Sequence, residues 1–398
     1  MTTQLQTDDP VGVDTPIGRV TVTVPSPGPR WSRAQGAAWQ ARTGWLLGAN
    51  FVPSTASNQL DMWGADTFDA PTIERELRLA AGLGFNSVRV FLHDLPWRQD
   101  PDGFLSRIDQ FLTLAHGQGI GAMLVLLEGC WHPEPGTSPV PTPHVHNSCW
   151  VQCPGVAVLR DRARHPEMEG YVRGVIGRFR TDPRVQVWDL FNEADNSGVY
   201  ADRDIPNKQD MVLLLMRDAF KWARELDPSQ PLTAPAWRPD WLNPETLSPV
   251  DRFALETSDV VSFHSYNAPD RVLRQVQALR RYGRPLLCTE YLARTTGNTV
   301  QAIAPLLKRE GVGAWNWGLV AGRTQTQYPW DSWRTTYTAE PEVWLHDLLR
   351  ADGTPFDAAE VEMIRALAKD AGVAEQGGRN FRPARAAPLH VGVMDLTD

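Results

Sequence analysis

Two short apolar runs each end in a glutamate. Val185-Gln-Val-Trp-Asp-Leu-Phe191 leads directly into Asn192-Glu193, and Pro285-Leu-Leu-Cys-Thr289 leads into Glu290-Tyr291. At the C-terminal end of a parallel barrel strand, an acidic side chain projects into the barrel mouth rather than the core. Two carboxyls facing each other there can divide the work of nucleophile and general acid/base. A separation of about 5–5.5 Å suits direct capture of an anomeric carbon and retention, whereas roughly 6.5–9.5 Å leaves room for a water and gives inversion. One such glutamate alone is usually a helix cap or a surface residue. The ordered pair is the stronger signal.

Other reactive side chains gather in two irregular segments, 128–154 and 319–338. The first carries Trp131-His132, His144, His146-Asn147, Cys149-Trp150 and Cys153. His-x-His-x2-Cys-x3-Cys could be read as a zinc site, but the spacing is unusual and no general-base motif accompanies it. The preferred reading is a lid whose Trp131, His132 and His146 line a pocket, with reduced cysteines packed and no metal. The second segment, Thr324-Gln-Thr-Gln-Tyr-Pro-Trp-Asp-Ser-Trp333, offers Gln325 for sugar hydroxyls and Trp330 for stacking. A tryptophan-anchored surface loop explains it equally well. His93-Asp94 is a further candidate hydroxyl contact.

Something must hold these groups together. From Trp45 onward, short apolar runs alternate with amphipathic stretches, the rhythm of a parallel α/β sheet. Strands are expected at 45–52, 87–92, 122–127, 185–191, 232–237, 260–266, 285–291 and 312–317, each apolar enough for burial on both faces. Phe104, Ile108, Phe111, Leu112 and Ala115 form one helical stripe; Met211, Leu214, Leu215, Ala219, Trp222 and Leu226 form another. Eight strands alternating with helices predict a (β/α)8 TIM barrel with long loops after strands three and eight. A doubly wound open sheet is the alternative, but no Gly-rich phosphate loop follows the first strand. The barrel is expected over 41–371, with an N-terminal extension at 1–40 and a C-terminal tail at 372–398.

Composition narrows the partners. The 398 residues carry a formal net charge of −8 and show no basic stripe, which argues against nucleic acid. No apolar run reaches the ~18 residues of a spanning helix, so no membrane partner is expected. The polar N-terminus lacks a secretory pattern and the four cysteines are too few for a disulfide scaffold, so a cytoplasmic setting is expected. Sixteen tryptophans suit core packing, sugar stacking, or both.

The set of strand ends resembles clan A glycoside hydrolases, above all the family 5 cellulase-like enzymes. The matching residues are Arg89 in Asn-Ser-Val-Arg-Val-Phe, Asn192-Glu193, His264 and Tyr266 in Ser-Phe-His-Ser-Tyr, Glu290, and Trp317 in Ala-Trp-Asn-Trp-Gly. The resemblance implies a retaining hydrolase of β-linked oligosaccharides or glycosides without a cofactor. Glu193 would be the acid/base, with a raised pKa, and Glu290 the ionised nucleophile. Arg89 and Tyr266 would hold Glu290's charge, Asn192 would meet the sugar 2-hydroxyl, and His264 would orient Glu193 or a sugar hydroxyl. Trp317, nearer the strand end than Trp315, would be the floor under the ring, and Trp315 would face the helices only if a bend or bulge intervened. The long loops suggest a closed pocket and exo-action. Transglycosylation by the same residues is the near alternative. A non-catalytic sugar-binding barrel is a different class, disfavoured by the like-charge cost of two facing glutamates. The sugar, the linkage and the oligomeric state stay open.

Overall fold

The structure, a computed structural model, describes residues 10–15, 18–23, 26–136, 140–200, 205–238 and 241–371; the expected tail at 372–398 lies outside them. An antiparallel pair, β1 (Pro10–Thr15) and β2 (Gly18–Thr23), comes first. The barrel strands follow: β3 (Leu47–Asn50), β4 (Ser87–Phe91), β5 (Gly121–Glu128), β6 (Val185–Asn192), β7 (Leu232–Thr233), β8 (Val261–His264), β9 (Leu286–Tyr291) and β10 (Gly313–Trp317). They form an eight-stranded parallel sheet in the order β7-β6-β5-β4-β3-β10-β9-β8. A parallel bridge between Ala236 and Phe263 joins the two outer strands. This is the expected (β/α)8 architecture, nearly closed.

The fifth expected strand, 232–237, shortens to two residues in β7 for a local reason. Pro235 has no N–H to give to the ladder. Pairing resumes one residue later, where Ala236 N–H donates to Ser262 O (3.1 Å) and His264 N–H donates to Ala236 O (3.0 Å).

Helices cover the outer face along the expected stripes. In Pro101–Gly117 the buried residues include Phe104, Ile108, Phe111, Leu112 and Ala115. Pro71 lies in the first turn of Ala70–Leu83, where its missing N–H costs nothing, and Asp69 caps that helix.

Inside the barrel, side chains two apart on a strand stack in layers. The lowest layer is apolar: Met123, Val187, Leu287 and Trp315 pack with Leu46, Val260 and Trp39. Trp39 belongs to the helix Arg33–Thr43, which straddles the expected boundary at residue 40. Its ring packs that helix against the barrel base. Trp315 therefore faces the interior, with its indole N–H on Ser87 Oγ (3.1 Å), and not the helices. Trp317 lies above it at the mouth.

If Trp39 seals the barrel base, Trp39→Ala removes a ring only 5% exposed and should cost about 3–5 kcal/mol in a urea titration. A loss below about 0.5 kcal/mol, the scale of a surface change, would show that the helix does not support the barrel.

Candidate active site

The C-terminal ends of the barrel strands surround a cavity of about 210 Å³. Its polar lining comprises Glu128, Glu193, Glu290, Asn147, Asn192, Asn196 and Tyr266, and its aromatic lining includes Trp131, Trp150, Trp237, Trp317 and Trp330. Glu193 and Glu290, distant in sequence, meet here. One carboxylate oxygen of each, together with a ring nitrogen of His264, lies within 4.8 Å of the others. Glu193 follows β6 with a φ of +37°, an uncommon left-handed turn that ends the strand's extended course where the carboxyl enters the site.

Beneath the pair, the guanidinium of Arg89 is fully buried. It donates to Asp189 (2.8 Å), to Glu290 Oε1 (2.9 Å), to Asn50 Oδ1 (2.9 Å) and to Asn192 Oδ1 (2.5 Å). Burial opposes its charge, but Asp189 and Glu290 outweigh burial and hold its pKa above the ordinary value. The Tyr266 hydroxyl donates to the other oxygen of Glu290 at 2.7 Å. Burial, then the Glu290 charge, pushes that phenol well above its usual range, so the proton stays available for the bond. For Glu290 itself, burial and the neighbouring Glu193 raise the pKa despite His264, Arg89 and Tyr266.

Glu193 departs from expectation. Burial pushes its pKa up, yet three donors outweigh that and leave it lowered. These are His264 Nδ1 (2.6 Å), the Cys130 thiol (2.9 Å) and Asn196 Nδ2 (2.6 Å). The expectation of a raised Glu193 fails because each donor stabilises its charged form. Cys130 stays a thiol, since burial and then the charges of Glu193 and Glu128 drive its pKa well up.

A third carboxyl escaped the sequence reading. Glu128 ends β5 as Asn192 ends β6, and accepts bonds from Cys130 N–H (2.7 Å), Asn192 Nδ2 (3.0 Å) and Trp150 Nε1 (3.2 Å). Burial outweighs those bonds, and with the Glu193 charge pushes Glu128 up to about 8. The strand-end rule that found Glu193 could have found it. Trp237 likewise ends an expected strand, 232–237, whereas no such signal existed for Asn196 or His346, which reach the cavity from segments without a motif.

The other expected site residues divide. Arg89, Asn192, His264, Tyr266 and Glu290 come together as described; Trp131, His146, Trp317 and Trp330 also line the cavity. His146 is buried and held down at about 4, so it is a neutral wall. Three expectations are corrected. His93 is sealed below the cavity: its Nδ1 caps Leu95 N–H (3.1 Å) and its Nε2 donates to Gln152 O (3.1 Å). His132 packs on Tyr200 and accepts from Glu134 N–H (3.2 Å), away from the lining. Gln325 staples the two long loops, donating to Thr142 O (2.7 Å) and accepting from His144 N–H (2.6 Å).

The residues of the zinc reading, His144, His146, Cys149 and Cys153, do not gather, for no three of them bring ligand atoms within 4.8 Å of one another. His144 donates to Tyr337 O (2.8 Å), His146 to Tyr328 O (2.8 Å), and the Cys153 thiol to Asp94 (3.3 Å). Among the described residues, two groups offer three ligand atoms within 4.8 Å: His93, Asp94 and Cys153, and Glu193, His264 and Glu290. Both nitrogens of His93 are already bonded, and Arg89 already compensates Glu290. Neither set fits a cation well.

No family model matches the chain, and no curated protein matches it. Solved structures do share its fold. An exo-β-1,4-mannosidase from Opitutaceae bacterium strain TAV5 superposes with a TM-score of 0.55 at 18% identity, over 82% of this chain and 60% of that one. This chain thus spans under two thirds of that enzyme. A GH5_18 variant from Streptomyces cattleya in complex with Manb1-4GlcNAc gives 0.53 at 16%, over 85% and 83% of the two chains. An endo-1,4-β-D-mannanase from Thermotoga petrophila RKU-1 gives 0.52 at 16%, over 82% and 99%.

Removing the buried cation should expose how much the site depends on it. Arg89→Met leaves Asp189 and Glu290 buried without their partner and should destabilise the protein by about 3–5 kcal/mol. Denaturant unfolding at neutral pH checks this; a loss below about 1 kcal/mol would mean that the two carboxylates are satisfied by other groups.

Proposed function

We propose that the protein is a retaining glycoside hydrolase, with Glu290 as nucleophile and Glu193 as general acid/base. One observation carries the reading: the oxygens of Glu193 and Glu290 approach within 4.8 Å across the barrel mouth, which fits the close carboxyl spacing of retaining enzymes rather than the wider spacing of inverting ones. The partners support the division of roles. Glu290 is bonded by a permanent cation and a phenol, as an ionised nucleophile requires. Glu193 accepts a hydrogen bond from His264 Nδ1, 2.6 Å away.

In the first step a Glu290 oxygen bonds to the anomeric carbon. The glycosidic C–O bond breaks, and the leaving oxygen takes the proton held by the Glu193–His264 pair. In the second step water attacks the same carbon, its proton passes to Glu193, and the Glu290 ester bond breaks. Glu193 is favoured in its charged form in the free site, the form that accepts the proton from water in the second step. Asn192, held between Arg89 and Glu128, would offer its amide to the sugar 2-hydroxyl. Trp317 would lie under the ring.

The cavity favours one terminal sugar. Its 210 Å³ falls below the roughly 300–1,000 Å³ of drug-sized pockets, and the two long loops close one side. Its described lining has three carboxyls and no Lys or Arg, so it suits a neutral sugar and disfavours a uronate. The three structural neighbours act on or bind mannose-containing glycosides by name, and a terminal β-mannoside is accordingly the substrate class proposed.

Glu290→Gln should lower turnover of 4-nitrophenyl β-D-mannopyranoside by on the order of 10⁴-fold, while NMR of the wild-type reaction should show the β-anomer first. Unchanged rates, or first release of the α-anomer, would remove the proposed nucleophile. The matching β-D-mannuronide should not be hydrolysed; turnover comparable with the mannoside would contradict the electrostatic reading.

His264 supplies the pH test. A charge on His264 lowers the pKa of both Glu193 and Glu290. Attack needs Glu290 ionised, so activity is lost as pH falls through its pKa. His264→Gln removes the lowering field, and the acidic limb of kcat/KM should move to higher pH. A limb that stays in place or moves down would contradict the assignment.

A further inference from the structure

Asn147 lines the catalytic cavity, yet neither its amide nitrogen nor its amide oxygen has a hydrogen-bond partner. The residue is only 1% exposed. Among the described residues it is the one side-chain amide with both polar atoms buried and unpaired. Such a group normally costs stability, because its donors and acceptor have left water without replacement.

The backbone holds this costly group in place. Asn147 has a φ of +51°, a left-handed conformation that asparagine tolerates better than most residues. Its N–H donates to Thr324 O (2.8 Å), and its carbonyl accepts from Trp150 N–H (3.2 Å). The flanking His146 is tied to the opposite loop through Ser332 Oγ (3.0 Å) and Tyr328 O (2.8 Å). The other two amides of the cavity already bond protein groups, Asn192 to Arg89 and Glu128 and Asn196 to Glu193 and Gly198 N–H; of the three, Asn147 is the one whose amide bonds none.

We infer that Asn147 receives the vicinal 3- and 4-hydroxyls of the sugar in the cavity, accepting from one at Oδ1 and donating to the other from Nδ2. This rests on the glycosidase reading above. With the 2-hydroxyl assigned to Asn192, the vicinal pair left on a hexopyranose is at C3 and C4; the 6-hydroxyl has no ring neighbour bearing a hydroxyl. A bond to the free 4-hydroxyl selects a non-reducing terminal residue, since an internal residue of a 4-linked chain has that oxygen substituted. The amide thereby makes the enzyme exo-acting on 4-linked substrates.

The test compares 4-nitrophenyl β-D-mannopyranoside with its 3-deoxy, 4-deoxy and 6-deoxy analogues, on the wild type and on Asn147→Ala. The wild type should lose roughly 10- to 100-fold in kcat/KM on the 3-deoxy and 4-deoxy substrates, the scale of an unpaired buried polar group. The variant should lose a similar factor on the parent and little more on those two analogues, while both proteins respond alike to the 6-deoxy compound. The melting temperature of the variant should change little, since the strain of alanine at this left-handed φ is offset by removal of a buried amide with no protein hydrogen bond. Wild-type kcat/KM in the variant, or a full further loss on the deoxy substrates, would overturn the inference alone. No hydrolysis of the parent by the wild type would sink the glycosidase reading and this inference with it.

Discussion

A guanidinium with no access to water lies at the centre of the barrel, and the site is organised around its charge. Arg89 bonds side chains from β3, β6 and β9, among them both a structural carboxylate, Asp189, and the catalytic candidate Glu290. A buried ion pair is seldom a net gain over well-packed apolar groups. Its persistence here is understandable if one of its anions has to stay ionised in a dry site. The same cation fixes Asn192, which in turn bonds Glu128, so one charge sets the positions of three lining residues.

The second constraint is the pairing of two long loops above that layer. Segments 128–154 and 319–338 are joined by Gln325, His144, His146 and Asn147, through side chains and backbone alike. Trp131, His144, Asn147 and Gln325 all adopt positive φ. Strained backbone of this kind survives only where the surroundings over-determine it, and the cross-loop bonds supply that. The barrel provides the carboxyls and their compensation; the loops provide the shape that a ligand must match.

Strand ends were readable from the chain because their chemistry interrupts an apolar run. Asn192, Glu193, His264 and Glu290 each stand where a buried strand becomes polar, and Arg89 is a lone charge inside one, Ser87–Phe91. Glu128 obeys the same rule but merges into the polar loop that follows it, which hid the strand's true end. His93 and Gln325 misled because a histidine or amide in a loop has two plausible partners, a ligand or the backbone, and sequence does not choose between them. The direction of the Glu193 pKa was unreadable for a related reason. It depends on Cys130, Asn196 and His264 converging from three segments, a purely tertiary fact. Asn147 shows the same limit from the other side: its lack of a partner exists only in the folded state.

Direct covalent capture by Glu290 is the step on which the proposed chemistry depends. Incubation with an activated 2-deoxy-2-fluoro-β-mannoside, followed by proteolysis and mass spectrometry, should place the fluorosugar on the peptide containing Glu290, and on that residue. A label on Glu193, Glu128 or Asp189 would contradict the assignment of roles, and rapid hydrolysis with inversion and no trapped intermediate would contradict the mechanism itself.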